Sequence, residues 1–175
     1  MGLVIRSPRP EELAQLGPLE QRAAERFRTS PHPYAVELPS FDPEQLADLH
    51  RAGTVWVAEV SEAQLVGFAI AGYLGDEPYL HELDVDLAWG RQGIGRALVR
   101  RVAVWARERG HRTLLLSTFA DVAWNAPYYE SLGFERVALS DYAPTMLVQR
   151  RADAALGMPA ASRVMLRAPL TRLLE

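Results

Sequence analysis

Three glycines punctuate the run Gly90-Arg91-Gln92-Gly93-Ile94-Gly95-Arg96, just ahead of a long amphipathic stretch that reads as a helix. Glycine in a helical turn costs about 1 kcal/mol relative to alanine. No Ser, Thr, Asp or Asn stands just before the helix to cap it. Arg91 and Arg96 place positive charge at the helix's positive pole, where cations are disfavoured. A bound anion removes all three difficulties, because it needs Cβ-free backbone, uses the free N–H groups and pairs with the arginines. The alternative is a turn that only lets helix and strand pack closely. A Walker loop would need Gly-Lys-Ser/Thr where Gly95-Arg96-Ala97 stand. A dinucleotide fingerprint starting at Gly93 meets Leu98 at its third glycine, and Ser117-Thr118 where an acidic residue belongs.

The strand leading into this loop, Tyr79–Leu87 (YLHELDVDL), carries the other groups capable of chemistry. Simple alternation puts Tyr79, His81, Leu83 and Val85 on one face, and Glu82, Asp84 and Asp86 on the other. A bulge would shift that parity. The three carboxylates are either a solvated strand face or an attractor for a cation. His81, with an ordinary pKa near ~6.5, suits proton transfer near neutrality. His32, His50, His81 and His111 are scattered, and no His/Asp/Glu spacing indicates a metal site. Ser117 and Thr118 end a later strand without a His–acid pair to activate a serine.

The elements that must position these groups follow from periodicity. Leu3–Ser7 is a short strand. A helix opens near Ser7 or Pro8 and runs to about Arg28, with Leu13, Leu16, Leu19, Ala23 and Phe27 on one stripe and an interruption at Gly17-Pro18. Thr29 to Phe41 is a proline-shaped loop. Asp42-Pro43-Glu44 starts a second helix, with Asp42 as N-cap. Thr54–Val60 and Leu65–Leu74 form a hairpin, and Gly75–Pro78 turns the chain into Tyr79–Leu87. The basic helix buries Ile94, Leu98, Val102 and Trp105 and sets Arg96, Arg100, Ala103 and Arg107 on another face. Arg112–Thr118 is a buried strand, followed by a short helix near Asn125–Leu132, a strand Phe134–Leu139, a helix Tyr142–Leu156 and a last strand Arg163–Arg167. Antiparallel strands followed by β-loop-α-β predict an α/β (α+β) fold with a mixed, mostly antiparallel sheet of six to seven strands.

At 175 residues with 49 % hydrophobic and 23 % charged positions, the chain is long enough for one self-sufficient core. A net charge of −3 argues against a general nucleic-acid or anionic-membrane binder. The absence of cysteine excludes disulfides, thiolate metal sites and a Cys nucleophile. The N-terminus lacks a signal-peptide core and no stretch approaches a membrane span, so the expected compartment is the cytoplasm.

Leu83-Asp84-Val85, the loop Arg91-Gln92-Gly93-Ile94-Gly95-Arg96 and, downstream, Tyr128-Tyr129-Glu130-Ser131-Leu132-Gly133-Phe134 together resemble the GNAT superfamily of acyl-CoA N-acyltransferases. The resemblance covers about residues 3–140 of a single domain 1–175, with 141–175 adding a C-terminal helix and strand. It implies an acetyl-CoA-dependent N-acetyltransferase without a metal. In that reading the backbone of Leu83-Asp84-Val85 holds the pantetheine and thioester, and Arg91 to Arg96 cradle the pyrophosphate. Gly90 stands where the family usually has Gln or Arg, and Arg91 is the substitute. Tyr129 occupies the place of the family's proton-donating tyrosine. Asn125 lies four residues before Tyr129, with Val122 at the family's usual Asn position, so Asn125 either caps the short helix or also touches the cofactor. An amine nucleophile needs a base. Glu82, directly or through water, is favoured over His81. Phe41, Tyr34 and Trp124 are candidates to line an amine pocket, or they cover core.

The acceptor expected is a primary amine on a small molecule or peptide, with no nucleic-acid or membrane partner and a homodimer as the family-based expectation. Two other classes remain open at this point: a GNAT-like acyl-CoA-binding or regulatory module, and a nucleotide binder using the same loop.

Overall fold

The computed structural model describes residues 2–175; Met1, which the expected domain 1–175 includes, lies outside the described residues. The strands are β1 (Val4–Arg6), β2 (Val55–Val60), β3 (Gln64–Leu74), β4 (Glu77–Val85), β5 (Thr113–Phe119), β6 (Glu135–Arg136) and β7 (Arg163–Pro169). The helices are α1 (Leu16–Ala24), α2 (Pro43–Arg51), α3 (Ile94–Glu108), α4 (Ala126–Leu132), α5 (Pro144–Ala155) and α6 (Leu170–Leu174). The seven strands form a sheet in the order β1-β2-β3-β4-β5-β7-β6. β1–β2, β2–β3, β5–β7 and β6–β7 are antiparallel. β4 and β5 are parallel, as a connection through α3 demands. Among the described residues that parallel ladder consists of Tyr79↔Leu115 and Leu80↔Leu116.

The chain groups into two compact units: the described residues up to Gly72 with His81–Val102, and Tyr73–Leu80 with Ala103–Glu175. The first is built around Leu16, Leu19, Leu46, Val55, Val57, Leu65, Phe68 and Ile70, with Leu13, Phe41 and Leu49 packed against them. These residues lie on α1, α2 and one face of β2–β3, so the apolar stripe of each helix meets alternate residues of the hairpin. Asp42 caps α2 by accepting from the backbone N–H groups of Glu44 (2.7 Å) and Gln45 (3.2 Å), with Pro43 at the first helical position.

A polar cluster ties β1 to the turn before α1. Glu12, only 2 % exposed, accepts from Arg6 Nη1 (2.7 Å), Arg6 Nη2 (2.8 Å) and the Arg9 backbone N–H (2.7 Å). Arg6 also bonds Glu59 on β2 through its Nε at 2.8 Å. The Arg6 hydrogen bonds outweigh burial and hold the Glu12 carboxyl down at about 2. A carboxylate with a depressed folded pKa stabilises above its unfolded value, roughly 4.3, and loses that stabilisation as pH falls through the folded value. Glu12→Gln should therefore cost about 3 kcal/mol at pH 7. Its deficit against wild type should shrink between pH 4 and pH 2. Urea unfolding at three pH values checks this; a pH-independent deficit would count against the ion cluster as its origin.

The second unit packs Tyr79, Leu115, Met146 and Met165 together, with Leu74, Val137 and Tyr142 at the margin. Asp153, buried at 3 % exposure, accepts from Ser117 Oγ (3.1 Å), Gln149 Nε2 (2.8 Å) and Arg163 Nε (3.0 Å). That network joins β5, α5 and β7, and it commits the Ser117 hydroxyl to a structural bond. A bidentate Arg167–Glu77 pair (2.7 and 2.8 Å) links β7 to β4.

The structure departs from the periodicity reading at four places. The first helix is a 3-10 turn (Pro10–Gln15), then α1, then another 3-10 turn (Glu25–Thr29); Pro18 falls in the first turn of α1, where its missing N–H is tolerated. The strand expected over Phe134–Leu139 shrinks to Glu135–Arg136, and a 3-10 turn follows at Leu139–Asp141. Ala103, placed with the arginines, is fully buried along with Val99 and Ala106, so the core arc of α3 is wider than one stripe. α6 had no sequence signal beyond Leu170 and Leu173, which it buries.

Candidate functional site

β4 does not alternate regularly, and this decides which groups share a face. The Asp86 N–H donates to Val66 C=O at 2.8 Å, setting Gly67 of β3 opposite Val85. A Cβ on Gly67 would touch Val85 Cγ2 at 3.3 Å and Ile94 Cγ2 at 3.4 Å, so Val85 lies on the α3 face. A Cβ on Gly72 would meet His81 Nε2 at 2.7 Å, so His81 shares the face of Gly72. Gly67 and Gly72 are an odd number of residues apart and point to opposite faces, whereas Val85 and His81 are an even number apart. Both contacts hold only if β4 contains one extra residue between His81 and Val85. His81 therefore does not lie with Leu83 and Val85, as alternation predicted. It lies on the α1–α2 face, edge-on to Phe41 with ring centroids 6.4 Å apart.

The same face carries Glu82 and Asp84. Glu82, Glu20 of α1 and Arg26 of the following 3-10 turn place their charges around Asp84. Asp84 Oδ2 is buried without a hydrogen-bond partner. Burial first, then the charges of Glu82 and Glu20, push the Asp84 carboxyl well above the usual carboxylate range, with Arg26 pulling the other way. Burial also raises Glu20, against a hydrogen bond from Ser40. Partial desolvation lowers the His81 imidazole below its usual value. Asp86 is occupied elsewhere: it accepts from Arg22 Nε at 2.7 Å and from the Ala88 N–H at 3.1 Å. Glu20 and Arg26 carried no signal in the sequence, since nothing local distinguishes them from solvent-facing charges of a helix.

The backbone of β4 is directional here. Because the Asp86 N–H points to β3, the Val85 carbonyl of the same peptide points away from it. The Asp84 carbonyl lies against Gly67 on β3, so the Val85 N–H also points away. Alternation turns the Leu83 carbonyl the same way. Leu83 and Val85 thus direct backbone polar groups off the β3 side of the strand.

Beyond β4, Asp86 caps a 3-10 turn over Leu87–Trp89, and the chain enters the glycine loop. Gly90 is extended (φ −61°, ψ 155°), and an added Cβ would sit 3.4 Å from the Leu87 carbonyl, so glycine is not demanded there. Arg91 (φ +61°) and Gly93 (φ +79°) both take left-handed backbone, which is strained for the arginine. Nothing lies within 4 Å of a Cβ built on Gly93. Arg91, Gln92 and Arg96 are exposed, while Ile94 is buried and anchors the start of α3. The first N–H groups of α3 and two arginine side chains thus surround an open backbone turn, a setting suited to a phosphate-bearing ligand.

On α4, Asn125 occupies the N-cap position, but its side chain makes no cap hydrogen bond and its Oδ1 is buried without a partner. The capping role left open above is thus absent, and the oxygen remains available as an acceptor. Tyr129, 8 % exposed, packs edge-on against Tyr128 (5.4 Å) and Phe134 (5.7 Å). The left-handed Gly133 (φ +108°) closes α4, and the Phe134 N–H returns to the Tyr129 carbonyl at 3.1 Å. Of the proposed pocket aromatics, Tyr34 bonds His32 Nδ1 through its hydroxyl (3.2 Å) and Phe41 belongs to the α1–α2 core. Among the described residues no group of three or more His, Asp or Glu is placed to hold a metal, and no helix is long and apolar enough to cross a membrane.

The profile of the Acetyltransferase (GNAT) family matches residues 19–134. Human N-acetyltransferase 8 is 36 % identical over 97 residues, covering 51 % of this chain and 42 % of that protein. The ribosomal protein bS18-alanine N-acetyltransferase of Escherichia coli K12 is 37 % identical over 83 residues, covering 47 % of this chain and 56 % of that protein. The matches span about half the length of these curated relatives. In structure, the PaiA N-acetyltransferase of Thermoplasma acidophilum, crystallised with coenzyme A, superposes with a TM-score of 0.71 at 14 % identity, over 97 % of this chain and 99 % of that one.

Proposed function

The chain belongs to the acetyltransferase (GNAT) family, and we propose that it transfers an acetyl group from the thioester of acetyl-CoA directly to a primary amine of a small molecule or peptide. The observation that carries the reading is Val85, whose N–H and C=O both point off the β3 side of a strand that runs into the glycine turn of α3. Acetyl-CoA fits the residues present. Arg91, Gln92, Gly93, Ile94, Gly95 and Arg96 supply N–H groups and positive charge for the pyrophosphate. Leu83, Asp84 and Val85 supply backbone for the pantetheine, and the unpaired Asn125 Oδ1 accepts a hydrogen bond from the cofactor.

Bound acetyl-CoA supplies an activated acyl group. Glu82 takes the proton of the attacking amine, with His81 as the competing base, and Tyr129 returns a proton to the departing thiolate. Peptide N-H donors on the strand steady negative charge on the carbonyl oxygen. The names of the relatives, both N-acetyltransferases, support an amine acceptor.

Calorimetry with CoA, paired with a thiol-release assay over an amine panel, tests the reading on wild type and Tyr129→Phe. Micromolar CoA binding with turnover is expected, and the phenylalanine variant should lose about tenfold or more in kcat with CoA affinity within about twofold. An equal loss of affinity reassigns Tyr129 to binding. Tight CoA binding without transfer to any amine would favour the acyl-CoA-binding module.

A further inference from the structure

α6 lies beyond the stretch matched by the family, which ends at residue 134, yet it reaches back across the turn that closes α4. A Cβ built on Gly133 would collide with Arg172 Cδ and lie 2.6 Å from its Cγ, so the arginine stem rests directly on the glycine. Arg172 Nη1 also donates to the Gly133 carbonyl at 3.3 Å and to Glu135 Oε1 on β6 at 2.9 Å. The side chain thus holds the chain on both sides of Phe134. We propose that Arg172 is a positioning residue for the acid step: it fixes the Gly133–Phe134 turn and, through Phe134, the ring of Tyr129. The inference rests on the assignment of Tyr129 as the group that protonates the departing thiolate.

The links from Arg172 to Tyr129 are contacts inside one unit of the fold. The Tyr129 carbonyl accepts the Phe134 N–H at 3.1 Å. The Phe134 ring, 2 % exposed, meets the Tyr129 ring edge-on with centroids 5.7 Å apart, so a rotation of the turn carries over to the phenol. Gly133, at φ +108°, has no side chain of its own to restrict that rotation. The overlying arginine stem supplies the restriction. Its own Cα is held from both sides, because Leu170 and Leu173 are buried and the Leu170 N–H donates to the Arg112 carbonyl at 2.8 Å.

Arg172 contributes little to stability. Its side chain is half exposed, and an ion pair in that setting is weak. A separate pair, Arg136 Nε to Glu130 Oε1 at 2.6 Å, ties β6 to α4 without it. What Arg172 adds is the geometry of the turn, and a small displacement of a reacting group is enough to lower a rate.

The test is steady-state acetyl transfer with thermal unfolding on the full chain, as a double-mutant cycle with Tyr129→Phe. Arg172→Ala should lose about fivefold in kcat with the acetyl-CoA KM unchanged, and its Tm should stay within about 5 °C of wild type. Arg172→Lys keeps a stem for Gly133 and a cation for Glu135, and should retain kcat within about twofold. Beside Tyr129→Phe, Arg172→Ala should cost less than about twofold, because no phenol remains to be placed. A merely structural arginine would give losses that multiply in the double variant. Should Arg172→Ala fail to fold, Arg172→Met, which keeps an apolar stem and lacks both donors, carries the same cycle with the same expected loss of coupling. Unchanged kcat in the single arginine variant, or multiplying losses, would overturn the positioning role. Full turnover in Tyr129→Phe removes Tyr129 as acid and the positioning role with it. Lost turnover there, with losses that multiply, overturns the positioning role alone.

Discussion

Glu82→Gln should lower kcat by about a hundredfold or more, the usual scale for losing a general base, while leaving CoA affinity unchanged in calorimetry. Glutamine keeps the size and the accepting oxygen of the side chain but cannot take a proton at neutral pH. His81→Gln should cost less than about fivefold. The difference follows from placement: Glu82 shares the charged surroundings of Asp84 with Glu20 and Arg26. His81 lies over Gly72 against Phe41. The pH profile gives a second readout. A carboxylate base sets an acid limb that the glutamine variant lacks, whereas His81→Gln should leave that limb in place. A hundredfold loss from His81→Gln alongside a mild Glu82→Gln would exchange the two roles.

The glycine turn ahead of α3 was legible because its signals are local. Glycine spacing, two arginines at a helix start and the lack of a capping residue are all contained in Gly90–Arg96, and the structure turns the chain there with left-handed backbone at Gly93 and also at Arg91, which no glycine marks. The hairpin and the Asp42 cap were equally local. The surroundings of the β4 side chains were not legible, for two reasons. Parity along β4 depends on an extra residue whose position shows only against β3, where Gly67 and Gly72 report opposite faces. The environment of Asp84 depends on Glu20 and Arg26, which precede it by a whole hairpin and helix. Asn125 shows a third limit. Its residue type and position before α4 fitted a cap, yet its φ of −110° and ψ of −111° leave the side chain without that bond. Short β6 was overread because Phe134, buried at 2 %, and Val137 fit a strand pattern, although the β7 ladder pairs Glu135 and Arg136 and Val137 adds a single N–H bond to the Met165 carbonyl at 2.9 Å.

The two β3 glycines make opposite predictions despite similar short contacts, and the contrast tests whether the backbone of β4 is the working part. A Cβ at position 67 would sit 2.8 Å from the Asp84 carbonyl oxygen, with Val85 Cγ2 and Ile94 Cγ2 closing the other directions. Backbone cannot rotate away, so Gly67→Ala must push β4 outward at Leu83–Val85, the stretch proposed to hold the thioester. Overpacking of this kind costs about 1–3 kcal/mol, and misplacing reacting groups by about 1 Å can cost on the order of a hundredfold in rate. At position 72 the nearest atom is His81 Nε2 at 2.7 Å, the far end of a side chain that is exposed on one side. That ring can swing aside, so Gly72→Ala should cost less than about 1 kcal/mol and a few-fold in rate. Denaturant unfolding and single-turnover acetyl transfer on both variants would decide. Gly67→Ala is expected to lose far more rate than its stability deficit explains, because the folded fraction stays near unity while the strand is displaced. Equal, mild effects at both positions would mean that β4 yields freely, and that the exact path of Leu83–Val85 does not set the rate.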